Sequence, residues 1–383
     1  SIKMVLPRPR RLSGIDMAPA EPENTQELGA TMVSGGVQIS KTRGLTVDGE
    51  QHGAIRRDDL RFEPGALGAG ACSVVRLARH TSTNERYAVK LFAIFDDAKR
   101  RQLVEEIRTL FSLDCAALVQ FHGAYLDGAT GKVGVVLDYM DAGSVEGLIN
   151  ARRAPLPEKV AASILYQCCW GLGYLHFERR LHRDVKPGNI LLSSRGEARL
   201  SDFGISKALT DEEESAKTMV GTFRYMAPER LRGDAYSFES DVWAAGMVLL
   251  ELLRGDAVFP PSCTPLDLNG ACERLARDFV AEKLEGVDVS SDCVDFAEAC
   301  LRRRAEDRAL PDLLLAGPWL AGLTLEGCCV TLAPFLANLR SAEAARPPPA
   351  PPARQSSTFA ADLSLIQTLD ASSDDDDEAT VEG

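Results

Sequence analysis

The chain has 383 residues, a net charge of −13 at pH 7 and 45% hydrophobic residues, which is enough apolar side chain to bury a core and too much for wholesale disorder. No run of eighteen apolar residues is present, so no membrane span is predicted, and the first thirty residues lack the apolar stretch of a secretory leader. The ten cysteines include no C-x-x-C with a metal-like partner, which predicts a reducing compartment.

Near the N-terminus a basic cluster, Arg8, Arg10 and Arg11, is followed by Leu12 and then Ile15-x-Met17. Leu67-Gly68-Ala69-Gly70-Ala71-Cys72-Ser73-Val74-Val75 reads as a strand, a glycine-rich turn and a second strand, where backbone N–H groups approach an anion without Cβ obstruction. Tyr87-Ala88-Val89-Lys90 is an apolar strand ending in a lysine. From Ala98 to Leu113 the apolar residues Leu103, Ile107 and Leu110 recur at helical spacing, with Glu105 and Glu106 between them. Leu181 to Leu192 reads LHRDVKPGNILL, and Asp202-Phe203-Gly204 begins ten residues after it. Asp202 to Glu229 reads DFGISKALTDEEESAKTMVGTFRYMAPE, and Ser240-Asp241-Val242-Trp243 opens an apolar helix through Leu253. Cys168-Cys169 and Cys328-Cys329 sit in apolar helical contexts as small core residues. Arg346 to Arg354 is a proline-rich spacer, and residues 355–383 hold eight acidic and no basic side chains around a brief apolar stripe of Leu363, Leu365, Ile366 and Leu369. That tail is expected to be solvated and disordered, and it carries most of the net charge.

The order and spacing of these motifs form a protein kinase signature. Transfer of a γ-phosphoryl group needs a carboxylate to orient and deprotonate the attacking hydroxyl, and Mg²⁺ to neutralise the phosphates. Asp184 is the candidate base, Lys186 steadies the γ-phosphate, and Asn189 and Asp202 are placed to hold metal. Lys90 follows the glycine loop at the separation expected of the lysine that pairs the α- and β-phosphates. ATP and Mg²⁺ are the cofactors this predicts.

Three stretches are more specific: Val135 to Ser144 (VVLDYMDAGS), Asp202 to Ser206 (DFGIS) and Val220 to Leu231 (VGTFRYMAPERL). With them, residues 60–320 resemble the mitogen-activated protein kinase kinases, the sterile-7-like enzymes of dual specificity that phosphorylate Thr-x-Tyr in MAP kinases. The resemblance implies an α+β, bilobal protein kinase fold with a small β-rich N-lobe and a larger helical C-lobe. It makes Glu106 the partner of Lys90, with Glu105 as a solvated alternative, and Leu137 the gatekeeper. It places Asp138 to Met140 at a hinge that binds adenine through backbone groups. The nucleotide site it implies comprises Leu67, Gly68, Ala69, Gly70, Ala71, Cys72, Ser73, Val75, Ala88, Lys90, Leu137, Asp138, Met140, Asn189 and Asp202. It pairs Glu229 with Arg308 and directs Asp241 to the backbone around the His182-Arg183-Asp184 turn. It makes Ser215 and Thr218 activating phosphosites, with Thr210 a weaker candidate, and gives Thr222 a hydrogen bond near Asp184 and Lys186 that shapes the substrate site. The run Asp211 to Glu214 is either standing negative charge in that switch or, more simply, a solvated loop. Departures from the family pattern are Ser73 for the third glycine, Asp138 for glutamate, Ser201 before Asp202, and Gly188 in the catalytic loop; none is a phosphate or metal ligand.

The expected organisation is an N-terminal extension over 1–58, a kinase domain over 59–322 divided near 140, a helical extension over 323–345, and a tail over 346–383. Within the extension, residues 8–17 resemble a docking motif in which arginines meet an acidic patch and the two apolar side chains enter adjacent pockets. Expected partners are a MAP kinase substrate, an upstream MAP kinase kinase kinase and a scaffold, with neither nucleic acid nor membrane. The expected location is cytoplasmic, with shuttling to the nucleus as a further option. Two other functions are compatible with parts of the chain. One is a serine/threonine kinase of another tier. The other is a pseudokinase scaffold, against which stand Lys90, Glu106, Asp184, Lys186, Asn189 and Asp202 together.

Overall fold

The computed structural model describes residues 31–34, 37–40, 44–47, 50–52, 55–69, 73–93, 97–127, 130–203, 223–260, 262–272 and 276–344. The chain forms two units, Ser1–Asn338 and Leu339–Gly383.

Strands β1 (Thr31–Ser34), β2 (Val37–Ser40), β3 (Gly44–Val47) and β4 (Glu50–His52) make an antiparallel meander in sequence order. Val37 and Ile39 are two residues apart on β2, and Leu45 of β3 stands opposite Ile39, so the three share one face. All three are fully buried. The sequence reading assigned no element to this stretch.

A second antiparallel sheet contains β5 (Leu60–Phe62), β6 (Gly68–Ala69), β7 (Ser73–His80), β8 (Arg86–Phe92), β9 (Phe121–Asp127) and β10 (Lys132–Asp138). Its order is β5-β7-β8-β10-β9, with β6 paired to β7. Helix α1 (Asp97–Ser112) lies against β9 and also meets β1 and β2, while β2 and β3 meet β9. The meander is therefore applied to the helix and the edge strand of the second sheet. One core cluster of this lobe gathers Ile55, Leu60, Ala78, Val89, Tyr125 and Val136. Gly134 makes room within it, since a Cβ there would overlap the Tyr125 ring.

The helical lobe holds α2 (Val145–Arg152), α3 (Glu158–Phe177), the ribbon β11 (Ile190–Leu192) and β12 (Ala198–Leu200), α4 (Pro228–Leu231), α5 (Phe238–Arg254), α6 (Pro265–Cys272), α7 (Ala276–Lys283), α8 (Ser291–Cys300), α9 (Pro311–Ala316) and α10 (Leu325–Ala344). Helix α5 is buried on every face from Ser240 to Leu253, as a helix apolar all round must be. It packs against α3, α7 and α8. The ribbon is tied to the sheet lobe by a parallel bridge between Leu118 and Leu200 and to the linker by Leu192 N–H donating to Gly143 O at 2.7 Å. The expected helices over 98–113 and 240–253 are observed at 97–112 and 238–254. The α+β architecture expected from the sequence is the one observed. Cys168, Cys169 and Cys328 are buried as expected, Cys329 partly so. Among the described residues no helix is long and apolar enough to cross a membrane.

Candidate active site

The sheet places the upstream half of the site through its period of two. Val75 of β7 and Val135 of β10 both stand opposite Lys90 on β8, and Leu137 stands opposite Ala88. Side chains two apart share a face, so Val75, Ala88, Lys90, Val135 and Leu137 line one side of the sheet, while Val89 and Val136 enter the core on the other. Gly68 and Ala69 form β6 beside Val75 and Val74, with Leu67 exposed before them and Ser73 opening β7. Gly70, Ala71 and Cys72 lie outside the described residues.

Lys90 is buried, and its Nζ meets Asp202 Oδ1 at 2.5 Å across 112 residues of sequence. Glu106, its expected partner, is half-buried on α1. Burial raises its carboxyl above the ordinary value, and the charges of Arg180 and Arg183 oppose that rise. Lys90 thus meets Asp202, and Glu106 lies in the field of two arginines from the other lobe.

The catalytic loop closes around Asp184. Lys186 Nζ stands 2.9 Å from Asp184 Oδ2. Asn189 Nδ2 donates to both the Asp184 carbonyl and Asp184 Oδ2, each at 2.8 Å. With its nitrogen committed in this way, Asn189 has its amide oxygen turned to the other side, as a metal ligand requires. Asn189 and Asp202 together offer two hard oxygen donors. Such donors suit a hard ion such as Mg²⁺ that takes the rest of its shell from substrate phosphates and water. The residues present therefore fit the expected metal.

Two non-glycine residues here hold positive φ, Arg183 at 68° and Asp202 at 59°, a conformation that costs energy and persists only when neighbours over-determine it. Asp241 of α5 supplies that restraint at the first. Fully buried, it accepts from His182 N–H and Arg183 N–H at 2.9 Å each, from His176 Nε2 at 3.0 Å and from Tyr236 Oη at 2.8 Å. Burial alone would raise its carboxyl, but the His176 hydrogen bond, the charges of His182 and His176 and the backbone donor bring it below the ordinary range. His182 is wholly buried, which pushes its imidazole down, and its ring meets Phe203 edge-on at 6.0 Å. Glu229 and Arg308 form a buried bidentate pair at 2.7 and 2.8 Å, with Ser240 Oγ adding a third donor at 2.9 Å. These are the supporting bonds expected for Asp241 and Glu229.

Beside Asp184 a recess is lined by Arg183, Tyr225, Met226, Arg230 and Tyr236. Its wall is fixed by Tyr225 Oη donating to Glu251 Oε2 at 2.9 Å, and burial raises the Glu251 carboxyl. Ser215, Thr218 and Thr222 lie outside the described residues, as do residues 8–17.

Asp138 and Met140 stand at the junction of β10 with the helical lobe. Asp138 N–H donates to Gln120 O at 3.0 Å, and its carboxylate is engaged by His122, Gln120 N–H and Arg199. Sequence reasoning missed this engagement, and also the Glu251–Tyr225 bond. Each joins residues too far apart in sequence for any spacing rule; Asp138 and Arg199 are separated by 61 positions.

The protein kinase domain family matches residues 63–320. Among curated relatives, the chain is 37% identical over 258 residues to "Mitogen-activated protein kinase kinase 3" of Arabidopsis thaliana, covering 67% of this chain and 49% of that protein. It is 34% identical over 300 residues to "Dual specificity mitogen-activated protein kinase kinase dSOR1" of Drosophila melanogaster, covering 72% and 74%. It is 34% identical over 261 residues to "Mitogen-activated protein kinase kinase 9" of Arabidopsis thaliana, covering 66% and 82%. The matched region thus spans about half the length of the first of these relatives.

Proposed function

The chain belongs to the protein kinase domain family and, within it, to the mitogen-activated protein kinase kinases, and from that premise we propose that it phosphorylates a MAP kinase on the Thr and Tyr of its activation loop, using ATP. The observation that carries the reading is that Lys186 and Asn189 meet Asp184, Lys90 meets Asp202 from a distant strand, and the Asn189 carbonyl accepts from the N–H of Ser201, the residue before Asp202.

Asp184 accepts the proton of the substrate hydroxyl entering the recess beside it, and Asn189 holds that carboxylate in place by donating to it. Lys186 supplies positive charge on the transfer side, and Lys90 orients the α- and β-phosphates. Asn189 and Asp202 would hold Mg²⁺, which would supply charge neutralisation for the phosphates. Because little covalent chemistry is asked of the protein in phosphoryl transfer, positioning is the main contribution, and Asp241 makes it by fixing the His182–Arg183 backbone. In this reading Ser215 and Thr218 are the activating phosphosites, an upstream kinase is their donor, Thr222 shapes the acceptor site, and residues 8–17 dock the MAP kinase.

The test is to incubate the full chain, with Ser215→Glu and Thr218→Glu, with Mg-ATP and catalytically inert MAP kinases, and to map phosphosites by mass spectrometry. Phosphate on both Thr and Tyr of the Thr-x-Tyr loop is expected. Phosphate only elsewhere, despite ATP turnover, replaces the reading with a general serine/threonine kinase; ATP binding without turnover replaces it with a scaffold.

A further inference from the structure

Helix α10 rests with its backbone directly on the turn between β11 and β12. Gly196 occupies that turn at φ +86°, and a Cβ added there would overlap the Cys329 carbonyl and stand 2.8 Å from the Ala333 nitrogen. The turn is stitched to α3 by one side chain, since Gln167 Nε2 donates to Gly196 O at 3.3 Å and Gln167 Oε1 accepts from Ala198 N–H at 3.0 Å. The next residue, Glu197, accepts from Ser193 Oγ at 2.7 Å, Arg195 Nη2 at 2.9 Å and Arg199 Nη2 at 2.7 Å. Arg199 turns its other terminal nitrogen to Asp138 Oδ2 in a close ion pair. Asp138 Oδ1 takes His122 Nε2 at 2.7 Å, and Oδ2 also takes Gln120 N–H at 3.0 Å.

Close packing of the helix on the turn, and then hydrogen bonds and ion pairs from Glu197 through Arg199, connect a helix near the end of the domain to the residue that opens the nucleotide hinge. Burial alone would raise the Asp138 carboxyl, but His122, the Gln120 N–H and Arg199 hold it below the ordinary carboxylate range. Its charge is therefore spent away from the cleft, and the orientation of its peptide is fixed by groups outside the cleft. Arg199 lies three residues before Asp202 on the same run of chain, so a shift of the Gly196 turn moves the hinge anchor and the approach to Asp202 together.

We infer that Glu197 and Arg199 are positioning residues for the nucleotide hinge, and that α10, seated on Gly196, keeps them in register. The consequence for catalysis rests on the nucleotide reading above; the mechanical link does not.

The experiment is hydrogen exchange by mass spectrometry on the full chain, read at amides 138–143, for wild type, Arg199→Met, Gly196→Ala and the double variant. Arg199→Met is expected to speed exchange at the hinge about fivefold, Gly196→Ala to do likewise, and the double variant to match Arg199→Met alone, because the two changes cut one chain of contacts. Steady-state kinetics should show KM for ATP rising in each variant while KM for the MAP kinase stays constant, a split that general loosening would not give. Should Gly196→Ala fail to fold, Leu332→Ala, which trims a buried side chain of α10 beside Ala333, takes its place. Faster exchange confined to residues 193–200 and 325–340, or additive effects in the double variant, overturns the inference. A wild-type chain that binds no Mg-ATP sinks the kinase reading instead and leaves the exchange result standing.

Discussion

Asp184 draws on Lys186 and Asn189 for its placement. Asp184→Asn keeps the shape and the Asn189 contact to the backbone carbonyl while removing the proton acceptor. The expected result is a fall in kcat of about 10²–10⁴-fold with little change in KM for ATP or in the melting midpoint. A single-turnover assay with saturating ATP separates this loss from one of binding. Much of the site was legible at this scale, because HRD, K-x-x-N and DFG carry their spacing in the local sequence. What was hidden is where side chains go when their partners are distant. Asp138 reads as a hinge residue from its neighbours, yet its carboxylate is turned to His122 and Arg199, and no local pattern announces either. The same holds for Lys90 with Asp202, where the motifs name both residues but not the 2.5 Å contact between them.

Among the elements, the β1–β4 meander is the one that sequence reasoning passed over. A signal was available in the alternating triplets Val37-Gln38-Ile39 and Leu45-Thr46-Val47, each next to a glycine, but strands this short compete poorly with a reading of the whole stretch as a polar extension. The longer elements were found because their apolar periodicity runs over several turns, as in α1 and α5. The meander's fully buried face predicts that it belongs to the folded lobe. Ile39→Ala should weaken its docking by about 2–5 kcal/mol, the usual cost of truncating a buried aliphatic side chain. Hydrogen exchange is the check: residues 31–52 and the amides of α1 should both exchange faster, since β1 and β2 lie on that helix. Acceleration limited to residues 31–52 would show that α1 does not depend on the sheet.

For the molecule as a whole, carboxylates hold the two lobes' inner framework. Asp138, Glu197, Glu229 and Asp241 all sit below their ordinary values, each because donors outweigh the burial that would raise it. A carboxyl lowered in the fold contributes stability that is complete above its unfolded value, 3.8 for Asp and 4.5 for Glu, and is lost as pH falls through the folded value. Glu251 acts in the opposite direction, because burial raises it and protonation then favours the fold. Glu106 does the same, but the lowered carboxyls outnumber the raised ones, so the urea midpoint should stay level from neutral pH down to about 5 and drop below about 4.5. Arg308→Met strands Glu229 as a buried charge, so it should cost about 3–5 kcal/mol at neutral pH and flatten the acid limb of the same curve. The two-lobed architecture itself was legible because the order of strands, catalytic loop and apolar helices is linear in the sequence. The bonds that tie the lobes at Leu118–Leu200 and Gly143–Leu192 were not, since backbone pairing leaves no side-chain pattern.

The meander also sets an order of events during synthesis. It leaves the ribosome ahead of the surface it covers, β9 and α1, which is complete only at Asp127, roughly 80 residues after Leu45; at about 5–20 residues per second the apolar face of Val37, Ile39 and Leu45 stays uncovered for about 4–16 s. During that interval the nascent chain presents an uncovered apolar strand pair to whatever surrounds the exit tunnel.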